Sequence, residues 1–202
     1  IFHLLQLGDE EAEKLILPAK GLHGIGYRGH MFWDTDIFTL PFYTLVKPSV
    51  ARAILMYRYS TLEQAKENAR KNGYKGAQYP WEVSDDGVEA TPKEIPLDPL
   101  DREKVRIWTG NEEHHISADI AYAIDYYYRV TGDKDFMARY GLEMLIEIAR
   151  FWASRVEFEE NKGYVIKKVI GADEYHIHTD NNFYTNLMAK HTLLLAIKYY
   201  HT

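Results

Sequence analysis

The sequence has no cysteine among its 202 residues. That one absence excludes disulfides, thiolate zinc sites and cysteine nucleophiles. No apolar run approaches the roughly 18 residues that a membrane-spanning helix needs, so a soluble protein is expected. No signal peptide is visible at the N-terminus. A cysteine-free chain suits a reducing compartment, and the cytoplasm is the expected location. Positive charge is also short, with Lys+Arg 24 against Asp+Glu 30, a formal net charge of -6 and no basic stripe. Phosphate backbones are gripped by clustered Lys and Arg, so nucleic acid is a poor candidate partner. Low-complexity tracts and internal repeats are missing as well.

Apolar and aromatic material is plentiful. Apolar residues make up 46% and aromatics 14% of the chain, including Tyr 16 and Trp 4, which excludes an intrinsically disordered segment. The length fits one domain able to bury a sizeable core. The first residue is Ile1, and the last apolar helical run stops abruptly at His201-Thr202, so the chain is expected to be a piece of a longer protein.

Helical periodicity dominates. Ser49 to Asn72 carries an apolar stripe at Ala53, Met56, Tyr57, Leu62 and Ala65, opened by Pro48 and stopped by Gly73. Ser117 to Val130 reads as a second helix, ended by Thr131-Gly132-Asp133, and Asp135 to Val156 and Asn182 to Tyr200 read as two more. Shorter candidates cover Asp34 to Val46 and residues 9 to 17. Tyr164 to Ile170, rich in β-branched residues, is the one good strand candidate, which disfavours a parallel α/β fold. Residues 73 to 110, punctuated by Gly73, Gly76, Pro80, Gly87, Pro92, Pro96 and Pro99, form a long connection of the kind that is usually functional or disordered. Tyr74, Tyr79 and Trp81 within it argue for the former.

Aromatic and acidic residues concentrate in loops. Trp33-Asp34 and Trp81-Glu82 each pair an indole with a carboxylate, which is what a sugar pocket requires. The indole face packs on the apolar C–H face of a pyranose ring, and the acid accepts hydrogen bonds from its hydroxyls. The same pairs fit core tryptophans beside solvated acids, and residue types alone leave both readings open. Asp173-Glu174 follows a β-branched stretch and precedes Tyr175-His176. It could supply the protonated carboxyl that cleaves a glycosidic bond, or an acidic turn before the last helix with Asp180 as its cap. His176-x-His178 with Asp180 could present two imidazoles to a metal ion if the segment were a strand, but a short H-x-H is weak evidence. No bound metal is expected.

The run Gly26-Tyr27-Arg28-Gly29-His30-Met31-Phe32-Trp33-Asp34-Thr35-Asp36-Ile37-Phe38, followed by Leu40-Pro41-Phe42, resembles glycoside hydrolase family 65. The resemblance continues through Gly73-Tyr74-x-Gly76-Ala77-x-Tyr79-Pro80-Trp81-Glu82, Glu89-x-Thr91-Pro92 and His115-Ile116-Ser117-Ala118-Asp119. It closes on Gly171-x-Asp173-Glu174-Tyr175-His176 and Asp180-Asn181-Asn182-x-Tyr184-Thr185-Asn186. These motifs span almost the whole chain in order. The family comprises inverting disaccharide phosphorylases and acid trehalases. The resemblance implies an all-α fold, an (α/α)6 barrel of which residues 1–202 form about the first half, as a single partial catalytic domain. It implies Glu174 as general acid, Trp33, Asp34, Trp81 and Glu82 as the subsite for the transferred glucose, and His115 and His176 near them.

It further implies an α-glucoside phosphorylase that uses inorganic phosphate as co-substrate and needs no cofactor, with a trehalase-type hydrolase or an inactive sugar-binding fragment as alternatives. The chain departs from the pattern at Ala172, where Pro is usual, at Ile177, where Glu or Asn is common, and at Asp36, where Glu is common. Half a barrel exposes inner-helix surface, so the isolated chain is expected to be inactive and to self-associate as a homo-oligomer or aggregate.

Overall fold

The computed structural model describes residues 1–96 and 103–201; Pro99 of the long connection and Thr202 lie outside the described residues. The described chain is predominantly helical. α1 (Phe2–Leu7) is followed by irregular chain, a π-helical turn over Thr35–Thr39 and α2 (Leu40–Val46). Then come α3 (Pro48–Ser60), α4 (Leu62–Lys71), α5 (Thr109–Glu112), α6 (Ile116–Thr131) and α7 (Lys134–Phe136). A second π-helical turn, Met137–Gly141, leads into α8 (Leu142–Arg155), and α9 (Phe183–Tyr200) closes the series. Two small antiparallel ribbons punctuate the helices: β1 (Glu94–Pro96) with β2 (Lys104–Arg106), and β3 (Glu157–Glu159) with β4 (Gly163–Val165).

α6 is the hub and packs against α2, α3, α8 and α9. Its sequence explains this. Ile116, Ala118, Ile120, Ala121, Ala123 and Ile124 are all fully buried, and the alanines let neighbouring backbones come close. Gly132 ends it in the left-handed conformation at φ 67, donating its N–H to Tyr128 O, and Asp133 then caps the next helix by accepting from Phe136 N at 2.9 Å. α8 buries Met144, Leu145, Ile148, Phe151 and Trp152 at helical spacing. α9 differs: Thr185, Met188, Thr192, Leu195 and Tyr199 face inward, while Phe183, Leu187, Leu194 and Ile197 form an exposed apolar outer face. Among the described residues no helix is long and apolar enough to cross a membrane.

Local expectations need correction at several places. Ser49 to Asn72 is two helices, because Ser60 Oγ donates to Tyr57 O at 2.8 Å and Thr61 Oγ1 to Arg58 O at 3.1 Å. These hydroxyls take carbonyls near the end of α3, and Thr61 leaves the helical region at φ -102, ψ 10. Residues 9 to 17 form no helix. Asp9 accepts the Glu11 N–H, and the Leu15 N–H donates to Ala53 O on α3, so these amides find partners outside any local helix. Of Tyr164 to Ile170, only Tyr164 and Val165 pair as part of a strand, β4, with Val169 in an isolated bridge to Thr179. The cap of α9 is Asn182, whose Oδ1 accepts from Thr185 N at 3.1 Å, and Asp180 instead accepts the Lys168 N–H.

Candidate active site

Two hydrogen bonds bring the two tryptophan–acid pairs together. Met31 N–H donates to Val83 O at 2.9 Å and Val83 N–H returns to Met31 O at 3.1 Å. Both side chains are buried, so this bridge lies within the core and sets Trp33-Asp34 beside Trp81-Glu82. Phe32 meets Trp81 edge-on at 4.9 Å between centroids. The half-buried carboxylate of Glu89 then fixes the second segment by accepting the N–H groups of Trp81 (2.8 Å) and Thr91 (3.0 Å). Gly76 lets the same segment reach α8: a Cβ there would lie 2.1 Å from Glu147 O, and its φ is +69.

Trp33, Asp34, Trp81 and Glu174 line one cleft of about 430 Å³, whose other walls include Leu4, Tyr27 and Lys20. Glu174 enters from the loop 171–182, with its carboxyl accessible at the cleft. Partial burial raises its pKa above the ordinary carboxylate value, the charge of Asp34 adds to the shift, and His115 opposes it. Glu82 is elsewhere: its buried carboxylate accepts from His30 Nδ1 at 2.6 Å and Arg28 Nη2 at 3.3 Å. Arg28 and Tyr27 both hold positive φ, 53 and 56, so the backbone here is strained beside the cleft.

His115 lies behind the cleft with no exposed surface. Its Nδ1–H donates to Asp119 Oδ2 at 2.6 Å and its Nε2–H to Glu113 Oε1 at 2.9 Å. Burial alone would lower its pKa, but the hydrogen bonds and charges of Asp119 and Glu113 outweigh burial and push it up to about 9. Both ring nitrogens are thus engaged by carboxyl groups, which favours the protonated ring. It touches the cleft through Trp33, which it meets edge-on at 4.9 Å, and it packs on Tyr184, whose hydroxyl donates to Asp119 Oδ1 at 2.7 Å. Burial pushes Glu113 up to about 7, against the pull of His115. The indole N–H of Trp81 and Oε2 of Glu113 are both buried behind the cleft, and neither has a hydrogen-bond partner among the described residues. Deeper still, Asp36 and Arg58 form a fully buried ion pair, with Nη2–Oδ2 at 2.5 Å and Nε–Oδ1 at 3.3 Å.

His176 stands apart. It is exposed, pairs with Asp173 Oδ2 at 2.7 Å and does not line the cleft. The H-x-H segment is not a strand, since His178 holds φ 55, and its two rings face different partners: Asp173 for His176, Glu112 for His178. Among the described residues no group of three His, Asp or Glu is placed to hold a metal ion. Asp119 and Tyr184, which support the wall behind the indoles, carry no role of their own in the sequence reading. One local signal was available: His115 and Asp119 are four apart at the start of a helix and so share a face.

Comparisons with known proteins show the family. A family model described as the glycosyl hydrolase family 65 central catalytic domain matches residues 1–202. Kojibiose phosphorylase of Halothermothrix orenii is 52% identical over 200 residues, covering 98% of this chain and 26% of that protein. α,α-Trehalose phosphorylase of Geobacillus stearothermophilus is 43% identical over 199 residues, covering 98% of this chain and 24% of that protein. A solved structure, provisionally named as a kojibiose phosphorylase from the human microbiome, matches with a TM-score of 0.85 at 33% identity, over 98% of this chain and 27% of that one. The chain therefore spans about a quarter of the length of these relatives.

Proposed function

The chain belongs to glycosyl hydrolase family 65, and on that premise we propose that its cleft is the glucose end of the active site of an inverting α-glucoside phosphorylase. The observation that carries this reading is that Glu174 shares one cavity with Trp33, Asp34 and Trp81. A proton donor, a hydroxyl acceptor and two indole walls are the parts a glucosyl subsite needs. Glu174 gives its proton to the glycosidic oxygen as the bond to the anomeric carbon breaks and the electron pair leaves with that oxygen. A phosphate oxygen bonds the anomeric carbon from the opposite face, which inverts the centre and yields β-glucose 1-phosphate and a free sugar. The raised pKa of Glu174 suits the donor role, because the acid must still hold its proton near neutrality.

Trp33, Asp34 and Trp81 hold the glucose ring. Glu82 acts through Arg28 and His30, and His115 acts by seating Trp33. Kojibiose is the first substrate to test, since a relative of that name is 52% identical. We further infer that the helices are about the first half of an (α/α)6 barrel, a reading supported by the match to the solved structure.

The test uses the full-length gene product with kojibiose or trehalose and phosphate. Glu174→Gln is expected to lower turnover by at least about 10²-fold, the usual contribution of a general acid, with unchanged circular dichroism. Near-normal turnover refutes the assignment. The product anomer, read by NMR, checks inversion. Equal sugar release in phosphate-free buffer places the protein with the hydrolases instead.

A further inference from the structure

The loop 171–182 presents Glu174 to the cleft, yet packing does little to hold it. Tyr175 is 97% and Ile177 46% exposed. The ends are pinned. Gly171 lies so close to Asn182 that a Cβ would sit 2.3 Å from its amide nitrogen, and Val169 and Thr179 exchange N–H···O bonds of 3.0 and 2.9 Å. Between these ends, one carboxylate reaches across. Glu112, buried in α5, accepts the backbone N–H of His178 on Oε2 at 3.0 Å and the ring Nδ1–H of the same residue on Oε1 at 2.6 Å. Its own carbonyl accepts the Ile170 N–H at 3.0 Å. The imidazole stands edge-on to Trp108, with centroids 4.8 Å apart, and Arg106 covers that indole at 5.0 Å.

A carboxylate that takes two hydrogen bonds from one residue fixes orientation as well as position, and ionised acceptors make the stronger bonds. Glu112 is also next in sequence to Glu113, which holds His115 behind Trp33. The two neighbours therefore tie the loop and the indole wall to one short segment. Neither Glu112 nor His178 touches the cleft.

We propose that Glu112 and His178 are positioning residues, forming a latch that orders the loop 171–182 so that Glu174 meets the glycosidic oxygen. The proposal rests on Glu174 being the general acid. Such a donor must come within about 2.6–3.2 Å of the leaving oxygen. A displacement of about 1 Å can cost about 10²-fold in rate.

The test compares two substrates in the full-length gene product: kojibiose, whose sugar leaving group needs a proton, and α-glucosyl fluoride, whose leaving group departs without one. Glu112→Ala is expected to lower kcat on kojibiose about 10²-fold. Its KM, and turnover of the fluoride with phosphate, should stay within about threefold of the parent. His178→Ala should behave in the same way. His178→Asn should recover most of the loss, because its amide N–H can replace Nδ1–H and Asn tolerates positive φ. Amide exchange in the loop should quicken in the Ala variants and return towards the parent rate in His178→Asn.

Equal loss on both substrates, or no loss on either, overturns the latch. If Glu112→Ala fails to fold, the His178 pair decides alone, and failure of Asn to rescue overturns the latch. Failure of the underlying assignment looks different: Glu174→Gln then retains turnover on kojibiose. A dead Glu174→Gln beside a normal Glu112→Ala removes the latch only.

Discussion

The two sides of the cleft are built by opposite means. The wall behind Trp33 is dry: Asp36, Arg58, His115 and Asp119 are each at most 1% exposed, and they neutralise one another through short charge-assisted bonds. The loop facing it is wet: Tyr175 is almost wholly exposed, and the chain there is held by backbone bridges and a few carboxylates, with Glu112 reaching in from α5. Burial is costly for charges unless they are paired, so the wall has one stable arrangement and cannot readily supply a mobile proton. A group that exchanges a proton with substrate needs access, and the loop provides it. The difference separates holding from reacting within a single site.

That separation is broken most directly by stability measurements. Asp36→Ala leaves the Arg58 guanidinium buried without its partner, and loss of one half of a buried ion pair costs about 3–5 kcal/mol. Tyr175→Ala on the loop should stay within about 0.5 kcal/mol of the parent, as exposed substitutions usually do. Urea denaturation of the full-length gene product reads both. Comparable losses from the two variants would erase the distinction between wall and loop.

A smaller effect sharpens it. Trp33 belongs to both worlds, since its ring lines the cleft while its edge rests on His115 and Tyr184. Trp33→Ala is expected to raise the KM for disaccharide by about tenfold, near 1.4 kcal/mol. Tyr184→Phe, which removes only the hydroxyl donated to Asp119, should raise it less. A larger change from Tyr184→Phe would mean that the wall itself, rather than the indole, carries sugar affinity.

Local patterning made part of this legible in the sequence. α6 and α8 follow from apolar spacing, and Gly132-Asp133 marks the boundary between α6 and the next helix through a left-handed cap and a side-chain cap. The tryptophan–acid pairs stood out because two of them occur, each in or beside a loop, although residue types alone left the core reading open. The break at Thr61 was hidden, since Ser and Thr within a helical stripe give no sign of which carbonyl their hydroxyls will take. The meeting of Met31 with Val83 and of Glu112 with His178 joins residues far apart in sequence, and neither partner alone announces the other. His-x-His suggested a shared metal for the same reason: spacing is visible in a sequence, but the φ 55 that turns His178 away from His176 is not.

The wall also gives stability a pH dependence. The pKa of His115 is raised from 6.5 to about 9, so its contribution is fully present below pH 6.5 and is lost as pH rises through about 9. Glu113 is raised from 4.5 to about 7 by burial, so it too favours the unfolded chain as pH rises across that interval. His114 runs the other way. Burial, aided by the nearby Arg155 charge, lowers it from 6.5 to about 3, and acidification below pH 6.5 therefore destabilises the fold. Between pH 4.5 and 6.5 the Glu113 and His114 slopes oppose each other. From 6.5 to 9 stability should fall, by at most about 1.4 kcal/mol per pH unit for one proton. Glu113→Gln separates these contributions. It removes one of the two carboxylates that hold the His115 proton, so the alkaline fall still begins near pH 6.5 but ends at lower pH, and it uncovers the acid slope of His114. Urea midpoints measured across pH 4.5–9 read both changes. A parent and a variant with superimposable profiles would mean that the buried charges behind Trp33 are not coupled as the geometry has them.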